Sequence, residues 1–260
     1  MTNTIRPYTG NSDNSVSVGE SVYRQIKSDI VFGRLQPNGK LKLQELRDHY
    51  GVSVTTLREV LNRLNSEGLV VAEGQRGFQV ASTSVSNLQS IADLRILIEG
   101  YALRRSFTAG DLDWESRVVA AHHKLTLLEK QLIGGDESAR TDWRLYDFEF
   151  HIALVSACGS RELLELHASY YEKYLRYQLI FSTYTRPMIS VVDRAKVATG
   201  HHQLLFDAAL RRDADAAVEV LREHIENSVA ETIKAVTLHA EASASTKEPR
   251  SARTRPREDA

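Results

Sequence analysis

Residues 51–80 read GVSVTTLREVLNRLNSEGLVVAEGQRGFQV, and the apolar pattern changes period once along them. In the first half Leu57, Leu61 and Leu64 recur at i, i+4 and i+7, which gives a helix one apolar stripe. Ser53 stands just before that helix, where its hydroxyl can satisfy one of the amides that a first turn leaves without a partner. After Gly68 the runs LVVAE and GFQVAS are β-rich and flank GQRG, the pattern of a hairpin with Arg76 at its tip. Upstream, SVGESVYRQIKSDIVFGRL places Val22, Ile26 and Ile30 at helical spacing with Gly33 as the stop. KLQELRDHY then reads as a further helix, joined to the leucine-striped one through Gly51-Val52-Ser53. Three helices followed by a β-hairpin is the plan of a winged helix-turn-helix.

Opposite the leucines, the third helix carries Thr55, Arg58 and Asn62. Such a face suits nucleic acid, because Arg grips guanine or phosphate with two hydrogen bonds and Thr meets a thymine methyl or a phosphate oxygen. Alone, a short polar face is more often simply solvated. The hairpin that follows it tips the balance, since a wing there would reach the sugar-phosphate backbone.

The whole chain has 260 residues, 42% of them apolar and 26% charged, a soluble globular composition with room for a sizeable core. Cys158 is the single cysteine, which leaves no internal disulfide and no Cys-rich metal motif; it is read as apolar filler, and a reducing cytoplasm is the expected location. No apolar run approaches the ~18–20 residues of a membrane span, and MTNTIRPYTGNSDNS has no signal-peptide core, so no membrane partner is expected. The net charge of −1 is unevenly spread, with 10 Lys/Arg against 8 Asp/Glu over residues 1–83 and 18 against 22 over residues 84–240. That excess is too small to argue for DNA by itself, so the patterning carries the reading.

The expected organisation is a disordered N-terminus (1–18), a winged helix-turn-helix domain (19–81), a linker (82–86) inside the polar stretch ASTSVSN, an all-helical domain (87–238) and a disordered tail (239–260). From residue 87 onward helix follows helix. The fold class is therefore mainly α: an N-terminal winged helix-turn-helix domain plus a C-terminal all-helical bundle of six or seven helices.

Within the bundle, YDFEFH (residues 146–151) puts Asp147 and His151 four residues apart on a stripe shared with Trp143, Phe150 and Leu154, while Glu149 faces away. A carboxylate pointed into a core must be hydrogen-bonded, ion-paired or metal-bound. Asp then His at i, i+4 can place an oxygen and a nitrogen on one cation, although a metal-free hydrogen-bond pair is the more frequent use of such residues. Two later histidines shift the odds. Asp213 is a plausible N-cap for ADAAVEV, and His202 and His224 lie 11 residues before and after it. In an antiparallel hairpin they stand level, each about 16 Å from the turn at ~1.5 Å per residue. One carboxylate and three imidazoles make a credible set for Zn, Mn, Ni or Fe with positions left open. By contrast, His122-His123 is expected to be solvated, and Tyr170, Tyr171, Tyr174 and Tyr177 to be core or dimer packing. Arg95 shares a stripe with Ile91 and Ile98, and Glu99 at i+4 offers it an ion pair.

Residues 19–81 resemble the DNA-binding domain of the GntR superfamily of bacterial transcription regulators. The resemblance implies operator contacts from Ser53, Thr55, Thr56, Arg58 and the wing residues Gln75, Arg76 and Gly77. Val54 and Gln44 depart from the residues usual at their positions, which bears on base specificity. Through LRILIEGYA, DFEFH and HQLLFDAALRRDADAAVEVLREHI, the second half is similar to the FCD ligand-binding domain of the FadR-type subfamily. That similarity implies a divalent metal on Asp147, His151, His202 and His224, with His201 standing where Glu is frequent and a swap with His202 conceivable. It also implies that Arg95 meets an effector carboxylate.

The expected function is a DNA-binding transcription regulator, not an enzyme. It would bind a pseudo-palindromic operator as a homodimer, and a small organic-acid effector at a divalent metal ion would modulate that binding. The alternatives are a metal-dependent enzyme acting on a small carboxylate and a metal-free regulator.

Overall fold

The computed structural model describes residues 17–74, 77–185 and 191–245. The N-terminal unit contains α1 (Val18–Val31), α2 (Leu43–Tyr50) and α3 (Val54–Ser66), with a three-stranded antiparallel sheet of β1 (Lys40–Leu41), β2 (Val70–Ala72) and β3 (Phe78–Val80) in the order β1-β3-β2. The hairpin pairs Val70 with Val80 and Ala72 with Phe78, and the Glu73 amide donates to the Gly77 carbonyl at 2.8 Å to close it. The two-residue β1, which pairs with β3, has no signature in the sequence pattern and was not expected. It is too short to show alternation.

The core of this unit is formed by Val22, Ile26 and Ile30 of α1 with Leu57, Leu61 and Leu64 of α3, closed by Val70 and Val80. Gly51 ends α2 at φ 68°, a left-handed conformation that favours glycine, and its amide returns to the Arg47 carbonyl at 2.9 Å. Ser53 then caps α3 by accepting from the Thr56 amide at 3.1 Å. These two caps fix the turn between α2 and α3, and with it the direction in which α3 points.

The second unit contains six α-helices among the described residues: α4 (Val85–Ala109), α5 (Leu112–Ile133), α6 (Arg140–Val155), α7 (Arg161–Thr185), α8 (Val191–Leu210) and α9 (Ala214–Ser245). A 3-10 turn, Glu137–Ala139, precedes α6. Trp114, Leu125, Phe150, Leu154, Leu205 and Leu221 are among the side chains closed into its core. Side-chain caps set the starts: Ser84 accepts from the Asn87 amide at 3.1 Å, Asp111 from Trp114 at 2.8 Å and Asp213 from Ala216 at 3.1 Å. α4 starts inside the stretch read as linker, and α9 runs through residues 239–245, which were expected to be tail. The reason for the second difference is local: HAEASAS lacks apolar periodicity, but its alanines favour the helix already under way. No described helix is long and apolar enough to cross a membrane.

Candidate functional site

On α3 the apolar side is closed and the other side is open. Leu57, Leu61 and Leu64 are fully buried, whereas Ser53, Thr55, Arg58 and Asn62 are exposed. Thr56 is half-buried, with its hydroxyl 3.0 Å from that of Ser53, so it belongs partly to the cap. Gly77 sits in the hairpin at φ 98°. Gln75 and Arg76 lie outside the described residues.

In the bundle, Asp147 and His151 of α6, His202 of α8 and His224 of α9 each offer one ligand atom, and these atoms all lie within 4.8 Å of one another. The spacing about Asp213 does bring His202 and His224 level: their ring centroids are 4.8 Å apart. His201 instead lies half-buried outside the group, edge-on to His224 at 5.7 Å.

Carboxylates from two other helices stand behind this group. The Nδ1–H of His151 donates to Glu99 of α4, and the Nδ1–H of His202 donates to Glu129 of α5 at 2.6 Å. An ionised carboxylate only accepts, so each Nδ1 must carry the hydrogen, which leaves Nε2 as the inward-facing atom of each ring. His151 Nε2 is buried without a hydrogen-bond partner, and His202 Nε2 meets the Asp147 carboxylate at 3.0 Å. The other oxygen of Asp147 accepts from the hydroxyl of Tyr171 on α7. Carboxylate, imidazole and an inward nitrogen form the chain of contacts that orients metal-binding histidines. Donor types and orphaned nitrogen both fit a divalent cation of the Zn, Mn, Ni or Fe kind.

Electrostatics follow from the enclosure. Burial alone would raise the Asp147 carboxyl, but the contact with His202 and the nearby His151 and His224 hold it well below the ordinary carboxylate range. Burial acts downward on His202, and the carboxylates of Asp147 and Glu129 overcome it to push its pKa up to about 9. Burial together with the neighbouring His202 and His151 pushes His224 well below the usual imidazole value. Glu99 is held far down against its burial by His151, Arg95 and His167.

A cleft opens beside this group, with Arg95, Tyr171, Arg194, His201 and His224 in its lining. The Arg95 guanidinium lies between the rings of Tyr171 and Tyr174, at 4.6 and 4.5 Å from their centroids, and pairs with Glu99 at 3.0 Å. The expected ion pair therefore exists on a residue that also reaches the cleft. Arg194 is held by Gln178 at 2.5 Å and Glu231 at 3.2 Å.

Several readings change. Tyr171 and Tyr174 are buried as expected for packing residues, but they line the cleft as well. His122 is half-buried, stacked on Phe206 with ring centroids 4.1 Å apart, and is not the solvated residue its polar neighbours suggested. Glu99 was read only as a partner for Arg95, and Glu129 was missed. A signal for Glu129 was present: it shares the inward stripe of Leu125 and Leu132, the same kind of anomaly that drew attention to Asp147.

The comparisons with known proteins agree with this architecture. Residues 18–80 match the family described as bacterial regulatory proteins, gntR family, and residues 90–227 match the FCD domain. BphR of Paraburkholderia xenovorans, named an uncharacterized HTH-type transcriptional regulator, is 35% identical over 82% of this chain and 84% of its own length. The HTH-type transcriptional repressor GlaR of Escherichia coli is 34% identical over 78% of this chain and 90% of its own. Among solved structures, E. coli McbR/YncC superposes with a TM-score of 0.67 at 20% identity, covering 85% of this chain and 99% of that one. With a winged helix-turn-helix followed by an FCD bundle, the chain belongs to the gntR family of DNA-binding bacterial transcription regulators.

Proposed function

We propose that this regulator binds operator DNA through α3 and the wing, and that a divalent metal ion held by Asp147, His151, His202 and His224 receives a small organic-acid effector that modulates this binding. The observation that carries the reading is the buried Nε2 of His151, which has no hydrogen-bond partner while its Nδ1 is fixed by Glu99. A nitrogen so enclosed is costly unless something fills the space it faces. His202 is the ligand in this reading, and His201 faces the cleft. Arg95 and Arg194, with the open positions of the metal, supply the positive charge that a carboxylate needs. The names of the relatives as regulators support binding of the acid over its turnover.

On the DNA side, Ser53, Thr55, Thr56, Arg58 and Gly77 are assigned to contact, together with Gln75 and Arg76 of the wing. The protein acts as a homodimer on a pseudo-palindromic operator. In support, α4 exposes Leu94, Leu97 and Tyr101 at i, i+3 and i+7 on one face, a surface a second copy would cover.

Elemental analysis of protein purified without chelators or a histidine tag tests the metal, with about one ion per chain expected and substoichiometric content sinking the assignment. A thermal-shift screen of organic acids on the loaded protein tests the effector, because a ligand of the folded state raises the melting temperature. Retardation of DNA from around the protein's own gene, weakened in Arg58→Ala, tests the operator reading.

A further inference from the structure

The linker between the two units is fastened to one helix. Arg176 of α7 donates to the Ala81 carbonyl, and the Ser84 amide donates to the hydroxyl of Tyr177 at 3.3 Å. Tyr177 also donates to Asn87 at 2.9 Å. A few residues earlier on α7, Glu172 pairs with Lys27 of α1 at 2.5 Å, and Lys27 in turn reaches Glu67 after α3 at 3.1 Å. Ile180 of α7 approaches Gly33, in the turn that ends α1. The short polar stretch that reads as a flexible tether is thus held down on both sides.

α7 also forms a wall of the cleft. Tyr171, Tyr174 and Gln178 line it, Tyr171 donates to Asp147, and Gln178 donates to Ser228 and Thr232 of α9. At 3.6 residues per turn, Tyr171, Tyr174 and Gln178 fall within about 60° of one another on the helix surface. Glu172, Arg176 and Ile180 fall about 100 to 180° away from Tyr171, on the far side. One helix therefore faces the candidate metal group with one side and the DNA-binding unit with the other.

We infer that α7 carries the state of the metal and effector site to the DNA-binding unit, with Tyr171 as the residue that senses Asp147 and the Glu172–Lys27 pair as the contact that moves α1. This rests on the reading above that the four-residue group holds a cation. A charge placed beside Asp147 weakens what its carboxylate offers to the Tyr171 hydroxyl. A ligand entering the cleft displaces the same ring. A packed helix answers by shifting or rotating as a body, so Glu172, Arg176 and Tyr177 are carried with it. The coupling is reciprocal, and DNA held by the heads biases the site by the same factor.

Hydrogen exchange on the full chain with and without Zn2+ alone tests this, since it needs neither operator nor effector. In the wild type, zinc is expected to change exchange in α1 and residues 81–87 by roughly threefold or more. In Glu172→Gln and Lys27→Gln, zinc content measured by elemental analysis stays at the wild-type level while that change falls by at least half; in Tyr171→Phe, which keeps the ring over Arg95, the change falls by at least half in protein that elemental analysis shows to be loaded with zinc. Zinc bound with no change at α1 in the wild type overturns the inference and leaves the metal reading standing. So does a wild-type response in all three variants. Failure of the wild type to take up zinc overturns both.

Discussion

Thr55, Arg58 and Asn62 stand in the open on α3, and the stripe beneath them, Leu57, Leu61 and Leu64, would close the same core whatever they were. On α6 the situation is reversed: His151 is fully enclosed, and its ring is part of how α4, α6, α8 and α9 fit together. In the DNA-binding unit, apart from the Ser53–Thr56 cap at its start, the residues proposed for recognition and those for folding occupy opposite sides of α3. In the bundle they are the same residues. Substitution should therefore separate affinity from stability in the first unit and fail to separate them in the second.

The sharpest way to break this comparison is His151→Ala. We expect it to abolish stoichiometric metal and to lower stability by about 3 kcal/mol or more in urea denaturation, because the enclosed Glu99 carboxylate loses a partner. Unchanged stability would mean that the two roles are separable after all. Next in size, Arg58→Ala should weaken operator binding by about 1–3 kcal/mol in a retardation assay, with stability within ~0.5 kcal/mol of wild type. A comparable effect is expected for Glu129→Gln, which removes the acceptor charge behind His202. Titration with a competing chelator should find metal affinity down by roughly 10- to 100-fold.

pH sharpens the contrast further. With the His202 pKa at about 9, above the ordinary 6.5, its pairing with Asp147 and Glu129 stabilises the metal-free fold fully below pH 6.5, and the contribution is lost as pH rises through 9. Metal uptake runs the other way, since His202 must release its proton. Its affinity should increase by up to about tenfold per pH unit between those limits, read by calorimetry in buffers of different ionisation heat. The smallest effect belongs to the DNA-binding unit: Ser53→Ala removes the cap of α3 and should cost about 1 kcal/mol of stability, measured by thermal melting.

How much could be read from the residues alone follows the same division. The α3 face and its cap lie within a few consecutive turns, where period and capping chemistry act locally, and they were legible. In the bundle, Asp147 and His151 were legible as an i, i+4 pair, and His202 and His224 because an N-cap at Asp213 folds the chain back on itself. Glu99 and Glu129 were not, because nothing in a linear spacing says which carboxylate of α4 or α5 ends up behind which imidazole. Tyr171 was hidden for a related reason: an aromatic on a buried stripe looks like packing until the neighbouring helix supplies an acid. The short β1 pairs only because β3 is beside it, a tertiary effect with no local trace.

Glu99 has a consequence for how such a chain can change over generations. It serves Arg95 of its own helix at 3.0 Å, His151 of α6, and His167 of α7 at 3.3 Å. Exchanging Glu99 alone strands a guanidinium in the interior; exchanging Arg95 alone leaves the carboxylate short of a permanently charged partner. Substitutions at positions sharing one network are not additive, and each first step here is costly. A descendant that abandoned the proposed cation would have to replace several of these residues nearly together. The exposed face of α3 can change one residue at a time, so the residues proposed to read the operator are free to drift while the network of the bundle stays fixed.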